Sequence, residues 1–213
     1  MSGASHDLGY LPKARVEAFS DGVIAIIVTI LVLEIKVPML EGDRLEAQLL
    51  AALWHAMPLV GAYVVSFMVL LVFWVAHHQL LHSLRRVDRN LLWLNGLFLM
   101  ILAFVPVPTA LIGEYPSAVA GSTTYGVVLA LAGLAFMVMR VYITWHGALL
   151  HEAVPAAAAR KAVRKGLLSP ILYALGAALA MVDTRRAWCV YVIVPLIYIL
   201  PGAFDRINHQ THD

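Results

Sequence analysis

The sequence has little charge for its length and a single cysteine. Of its 213 residues, 13% are charged and 62% are hydrophobic, whereas soluble domains are roughly one quarter charged and half apolar. So little charge excludes a surface that faces water on every side, and a mean hydropathy of +0.83 favours lipid as the solvent. The lone Cys189 excludes an intrachain disulfide and a four-cysteine metal site.

Stretches without Asp, Glu, Lys or Arg mark five membrane spans. They cover residues 47–84, 90–113, 115–139, 166–182 and 187–204. A helix needs about 20 residues to cross the hydrocarbon core. The first stretch is longer than one span requires, and it predicts a helix from about Leu49 that extends past the membrane near His82. Pro58 is expected to kink this helix or to mark its start.

Prolines predict kinks in two further spans. Pro106 and Pro108 fall in the third span, and Pro195 and Pro201 fall in the sixth. Proline lacks the amide hydrogen and clashes with the preceding turn, so it interrupts a helix. Neighbouring helices are expected to satisfy the freed carbonyl groups.

The first span, residues 19–37, is bracketed by carboxylates. Asp21 and Glu34 flank its short uncharged core. A helix that faces lipid all round would carry such carboxylates only at a cost in free energy. We therefore expect this segment to be shielded by neighbouring helices or to line water, which places it inside an assembly.

Lys and Arg concentrate on alternate sides of the predicted spans. On one side lie the basic residues before residue 16, those in the loops around 85–89 and 160–165, and Arg206. The other side carries few basic residues, and acidic residues stand among them. The positive-inside rule then puts both termini in the cytoplasm. We predict an all-α integral membrane protein with six transmembrane helices per subunit and short loops. Residues 1–14 form a cytoplasmic N-terminal segment, 15–204 the transmembrane domain and 205–213 a cytoplasmic tail.

Polar residues recur at the cytoplasmic ends of the first three spans. They are Arg15, Ser20, Asp21, His77, His78 and Asn95. An unpaired polar group at membrane depth costs roughly several kcal/mol, so this pattern predicts one polar cluster. The alternative is an interfacial anchor, with an acidic group near a helix N-terminus.

An aliphatic stripe runs along the first helix. Ile26, Ile30 and Leu33 follow i, i+4, i+7 spacing, and Thr29 lies beside them. Such a stripe is more often a packing face than a pore lining. The short span and its bracketing carboxylates favour the pore more than the stripe alone does, and both interpretations stay open on the residues.

The motifs resemble a known family. Arg15 with Phe19-Ser20-Asp21-Gly22 opens the first span, and Phe73-Trp74 with His77-His78 lies in the second. These are similar to the bacterial potassium channels related to the lysosomal channel transmembrane protein 175. The resemblance covers the whole chain in layout, but beyond the third span it rests on topology and composition.

This resemblance implies a weakly to moderately potassium-selective channel that needs no cofactor and is not an enzyme. It implies a homotetramer, since each chain carries one six-span unit, in the plasma membrane of a bacterium, with lipid and its own copies as partners and no nucleic acid. The first helix would line the pore, with constrictions at Ile26, Ile30 and Leu33 and a selectivity layer at Thr29. A packing and hydrogen-bond network would join the motif residues Arg15, Phe19, Ser20, Asp21, Trp74, His77 and Asn95.

Two other classes of protein compete with the channel. A secondary transporter tends to have inverted repeats and ionisable groups at mid-membrane, and neither pattern is visible here. A membrane enzyme would need Ser20, Asp21 and His77 as a triad, but no Gly-x-Ser-x-Gly motif surrounds Ser20. His78 and His82 have metal-ligand spacing, without an obvious third ligand.

Overall fold

The structure is a computed structural model that describes residues 10–36, 45–151 and 154–200. Within these ranges the chain is almost entirely helical, with one short pair of strands. The segments 1–9 and 201–213 lie outside the described residues, and with them Pro201, Arg206 and most of the two predicted terminal segments.

Eight α-helices occur in the described ranges. They are α1 (Lys13–Ile30), α2 (Leu45–His82), α3 (Arg89–Ala103), α4 (Pro106–Glu114), α5 (Val119–Trp145), α6 (Ala156–Gly166), α7 (Leu168–Ala180) and α8 (Thr184–Ile199). Short 3-10 helices at Leu31–Glu34 and Gly147–Leu149 follow α1 and α5. Strand β1 (Tyr10–Leu11) pairs antiparallel with β2 (Val87–Asp88).

Five helical stretches of the described part are long and apolar enough to cross a membrane. They are Lys13–Glu34, Gln48–His82, Arg89–Glu114, Val119–Trp145 and Ala156–Ala180. The sixth predicted span corresponds to α8, which has 16 residues. The all-α layout is confirmed, while the side of the membrane on which the termini lie stays a prediction.

Two boundaries differ from the predicted ones. Helix α1 starts at Lys13, before the uncharged segment, because a helix continues through charged residues where they reach water. Helix α2 starts at Leu45 and continues through Pro58 to His82. The alternative in which Pro58 begins this helix is therefore wrong, and the good helix formers at 45–48 explain the earlier start.

The predicted interruption of the third span is present. Helix α3 ends at Ala103, a turn follows, and Pro106 begins α4. The carbonyl of Leu102, which Pro106 cannot satisfy, accepts from Val105 N at 3.0 Å. Thr109 donates both its backbone N–H, at 3.1 Å, and its hydroxyl hydrogen, at 2.8 Å, to Val105 O.

A buried chain of hydroxyl groups supports this break. Ser66 Oγ lies 2.8 Å from Thr109 Oγ1 and 2.9 Å from Tyr125 Oη. A hydroxyl has one hydrogen, and that of Thr109 goes to a carbonyl, so Ser66 donates to Thr109 and Tyr125 donates to Ser66. This chain joins α2, α4 and α5 inside the bundle, where water cannot satisfy polar groups.

The start of α1 is tied to the ends of two other helices. Lys13 Nζ donates to the carbonyl of His82, the last residue of α2, at 3.1 Å. Strand β1 pairs with β2 just before α3. Asp88 caps α3 by accepting from Leu91 N at 2.8 Å, and it accepts from Tyr142 Oη at 2.6 Å. These contacts fix where α1 enters the bundle.

Candidate functional site

Helix α1 has a buried face and an exposed face. The buried residues of α1 and its 3-10 extension recur at intervals of three or four, and they are Val16, Ser20, Ile24, Ile27 and Leu31. They pack into the bundle core with α2 and α3. The predicted aliphatic stripe therefore belongs to the opposite side of the helix.

The stripe points away from its own protomer. Ile26 is 59% exposed, Ile30 40% and Leu33 71%, and Phe19 near the start of the helix is 63% exposed. If this face were packed against other helices of the same protomer, it could not line a pore. Its side chains are instead exposed. Lipid, a second copy of the chain or a water-filled axis remains to cover the face.

Thr29 lies on the same exposed face. Its Oγ1 donates to Ile26 O at 2.8 Å. Because a hydroxyl has only one hydrogen, the remaining lone pairs of Thr29 Oγ1 are free to accept from water or to contact a cation. The backbone bond also restricts the side chain, which holds that oxygen in one position.

A buried hydrogen-bond network fixes α1 to α3 and α2. Asn95 Nδ2 donates to Ser20 Oγ at 2.9 Å, and Asn95 Oδ1 accepts from His77 Nε2 at 2.7 Å. All three residues are fully or almost fully buried. With the amide hydrogens of Asn95 facing Ser20, the imidazole hydrogen belongs on His77 Nε2. Asn95 is therefore the bridge on which this network depends.

A further hydrogen bond joins α1 to α2 directly. Trp74 Nε1 donates to Asp21 Oδ1 at 2.9 Å. This charge-assisted bond gives the carboxylate of Asp21 a donor. Such a partner is needed because an unpaired charge near membrane depth is costly in free energy. Ser20 and Asp21 are neighbours in the chain, so the two bonds together fix the rotation of α1 about its axis.

The other candidate residues lie outside this network. Arg15 and Phe19 are exposed on the face of α1 that carries the stripe. His78 is exposed, and its ring lies 5.9 Å from that of Trp74 and 6.4 Å from that of His82. Within one protomer the predicted cluster thus contains Ser20, Asp21, Trp74, His77 and Asn95.

Phe98 is a part of the site that sequence analysis missed. Its ring stacks on the imidazole of His77, with centroids 5.5 Å apart and planes 17° apart. It also packs against Phe73 and Phe136, which joins the network to the aromatic core. The signal was present, because Phe98 follows Asn95 by three residues and so shares its helix face.

The geometry does not suit the rival enzyme sites. His77 bonds to Asn95 rather than to Ser20, so a serine–histidine pair does not form. Among residues 10–36, 45–151 and 154–200, no group of three or more His, Cys, Asp or Glu side chains is placed to hold a metal ion.

Comparisons with known proteins agree on one family. The family described as "Endosomal/lysosomal potassium channel TMEM175" matches residues 15–106, which contain every motif residue and the stripe. A potassium channel of Streptomyces collinus is 39% identical over 209 residues, which cover 94% of this chain and 96% of that protein. The human endosomal/lysosomal proton channel TMEM175 is 40% identical over 102 residues, but these cover only 20% of its length.

A solved structure has the same fold. It is the crystal structure of a lysosomal potassium-selective channel TMEM175 homolog from Chamaesiphon minutus. The TM-score is 0.77 at 30% sequence identity, and the match covers 87% of this chain and 95% of that one.

Proposed function

Since the chain belongs to the TMEM175 family of endosomal/lysosomal potassium channels, we propose that it is a potassium-permeable cation channel whose pore is lined by α1. The family and its relatives are ion channels rather than enzymes, and the chain is a multi-pass membrane protein. The bacterial origin of the Streptomyces relative supports a place in a bacterial plasma membrane.

The exposed stripe of α1 is the observation that carries the proposal. Ile26, Ile30 and Leu33 project from a helix whose other face is fixed to the bundle by buried hydrogen bonds. A helix anchored in this way holds its stripe in one direction. Four copies around one axis would bring the stripes together as stacked rings, and the resemblance to the family supports four.

The proposed gate is an apolar constriction at Ile26. A narrow ring of aliphatic side chains excludes water, and an ion cannot pass a dewetted segment without losing its hydration. The pore must widen or hydrate at this ring to conduct. Ile30 and Leu33 would form further apolar rings along the same axis.

Thr29 is proposed as the selectivity layer. Its hydroxyl oxygen has free lone pairs because its hydrogen goes to Ile26 O. Such oxygens can replace part of an ion's hydration shell, and stripping water costs less for potassium than for sodium. A ring that strips water only in part gives weak to moderate selectivity.

Thiol accessibility tests whether α1 faces water or lipid. The single Cys189 can be replaced by alanine, and cysteine can then be introduced at Thr29 or, as a matched lipid-facing control, at the exposed Ile171 of α7. We expect a charged methanethiosulfonate reagent to modify T29C in the open channel and to leave I171C unmodified. Equal protection of both cysteines would contradict a water-filled axis at α1.

Thr29→Val tests the selectivity layer. Valine keeps the shape and removes the oxygen, so we expect the potassium-to-sodium permeability ratio to fall several-fold toward one, as read from reversal potentials in a planar bilayer. Thr144→Val is the matched control, because Thr144 makes the same kind of bond, to Arg140 O at 2.8 Å, on α5. An unchanged ratio in T29V would assign selectivity to another ring.

A further inference from the structure

A cavity of about 600 Å³ lies between α2, α5, α6 and α7, next to the end of α8. Much of its wall is apolar, with Val69, Val72 and Phe136 among the lining residues. Two cationic side chains, Arg140 and Lys165, line the same space, and none of its described lining residues is Asp or Glu. The cavity thus combines positive charge with an apolar wall.

Arg140 is held in a fixed position with donors to spare. Its Cζ lies 5.2 Å from the centroid of the Phe136 ring, and Nη1 donates to Ala162 O at 3.4 Å. Its Nε is buried and has no hydrogen-bond partner among the described residues. A guanidinium group carries five N–H donors, and the buried one on Nε has no acceptor among the described residues. A half-buried cation with an unsatisfied donor favours an anionic ligand.

The depth of the site matches a lipid headgroup. Arg140 lies little more than one turn before the end of α5 at Trp145, whose exposed indole is typical of the membrane–water interface. Just beyond, α6 carries the basic residues Arg160, Lys161 and Arg164 on its exposed side. Basic amphipathic helices of this kind attract anionic lipids.

We propose that this cavity binds an anionic phospholipid. The phosphate would accept hydrogen bonds from Arg140 and Lys165, and an acyl chain would lie along the apolar wall formed by α2, α5 and α7. The apolar lining is what favours an amphiphile over a free phosphate ion. The exposed Leu71 and Val75, which also line the cavity, leave its side open to the bilayer. The inference is independent of the proposed conduction pathway.

Native mass spectrometry of the purified protein in detergent tests the site directly. We expect the wild type to retain phosphatidylglycerol several-fold more than phosphatidylcholine, and Arg140→Gln to remove most of this preference. Arg160→Gln is the matched control, because it deletes the same charge from the exposed side of α6. Lys165→Gln is also expected to reduce the preference for phosphatidylglycerol, and it serves as the test variant if R140Q does not fold.

Three outcomes would overturn the proposal. Equal retention of the two lipids by the wild type would show that no anionic preference exists. Release of the lipid by millimolar inorganic phosphate would show a site for a free anion. An equal loss in R160Q and R140Q would reduce the effect to general surface charge, which also contradicts the assignment.

Discussion

Ile26→Asn is expected to raise potassium flux through the reconstituted protein by several-fold to roughly tenfold, since lowering a barrier by about 1.4 kcal/mol raises a rate tenfold. Asparagine has as many side-chain heavy atoms as isoleucine but is smaller, and its amide supplies hydrogen-bond donors and acceptors. Four amides around the proposed axis would let water remain in a constriction from which four aliphatic groups exclude it. The measurement is potassium efflux from liposomes, normalised to the amount of folded protein.

Ile171→Asn is the matched control for this experiment. Ile171 on α7 is 59% exposed, the same fraction as Ile26, but it lies on a helix outside the proposed pore. We expect I171N to leave flux per folded channel unchanged. A rise in both variants would indicate general leakage, and no rise in I26N would remove Ile26 from the pore. Saturable, proton-coupled uptake by the wild type would instead indicate a secondary transporter.

The positions of the helices could be predicted because lipid excludes charge. Stretches without Asp, Glu, Lys or Arg located α2, the α3–α4 pair, α5, α7 and α8. The ends were less predictable, since a helix continues through charged residues once they reach water, as α1 does at Lys13 and α2 does at the exposed Glu46. The break before Pro106 was predictable because proline removes a backbone donor.

The grouping of polar residues could be predicted, but their pairing could not. Buried polar groups near membrane depth need partners, and this requirement points to Ser20, His77 and Asn95. The sequence does not tell which side chain meets Asp21, because that depends on how α1 is rotated against its neighbours. Arg15 is the cation nearest to Asp21 in the sequence, yet it is exposed, and Trp74 on α2 donates the hydrogen bond to Asp21.

Asn95→Leu is expected to destabilise the protein and to disturb conduction together. Leucine has the same branching at Cγ but leaves Ser20 Oγ and His77 Nε2 without the partners that Asn95 provides. Each buried polar group left unpaired costs about 1–3 kcal/mol. For a chain of this size we expect the midpoint of thermal unfolding to fall by more than about 5 °C, measured by size-exclusion chromatography after heating.

Asn90→Leu is the matched control, because Asn90 lies on the same helix, α3, and is exposed. We expect N90L to keep the wild-type midpoint and flux. The combined effect in N95L follows from the geometry, since Asn95 sets the rotation of α1, and a helix free to rotate would no longer hold Ile26 and Thr29 in one direction. If N95L lowers the midpoint but leaves flux per folded channel and the potassium-to-sodium ratio unchanged, the network stabilises the bundle without positioning the proposed pore. Only a lower unfolding midpoint together with altered conduction per folded channel would connect the buried amide of Asn95 to conduction.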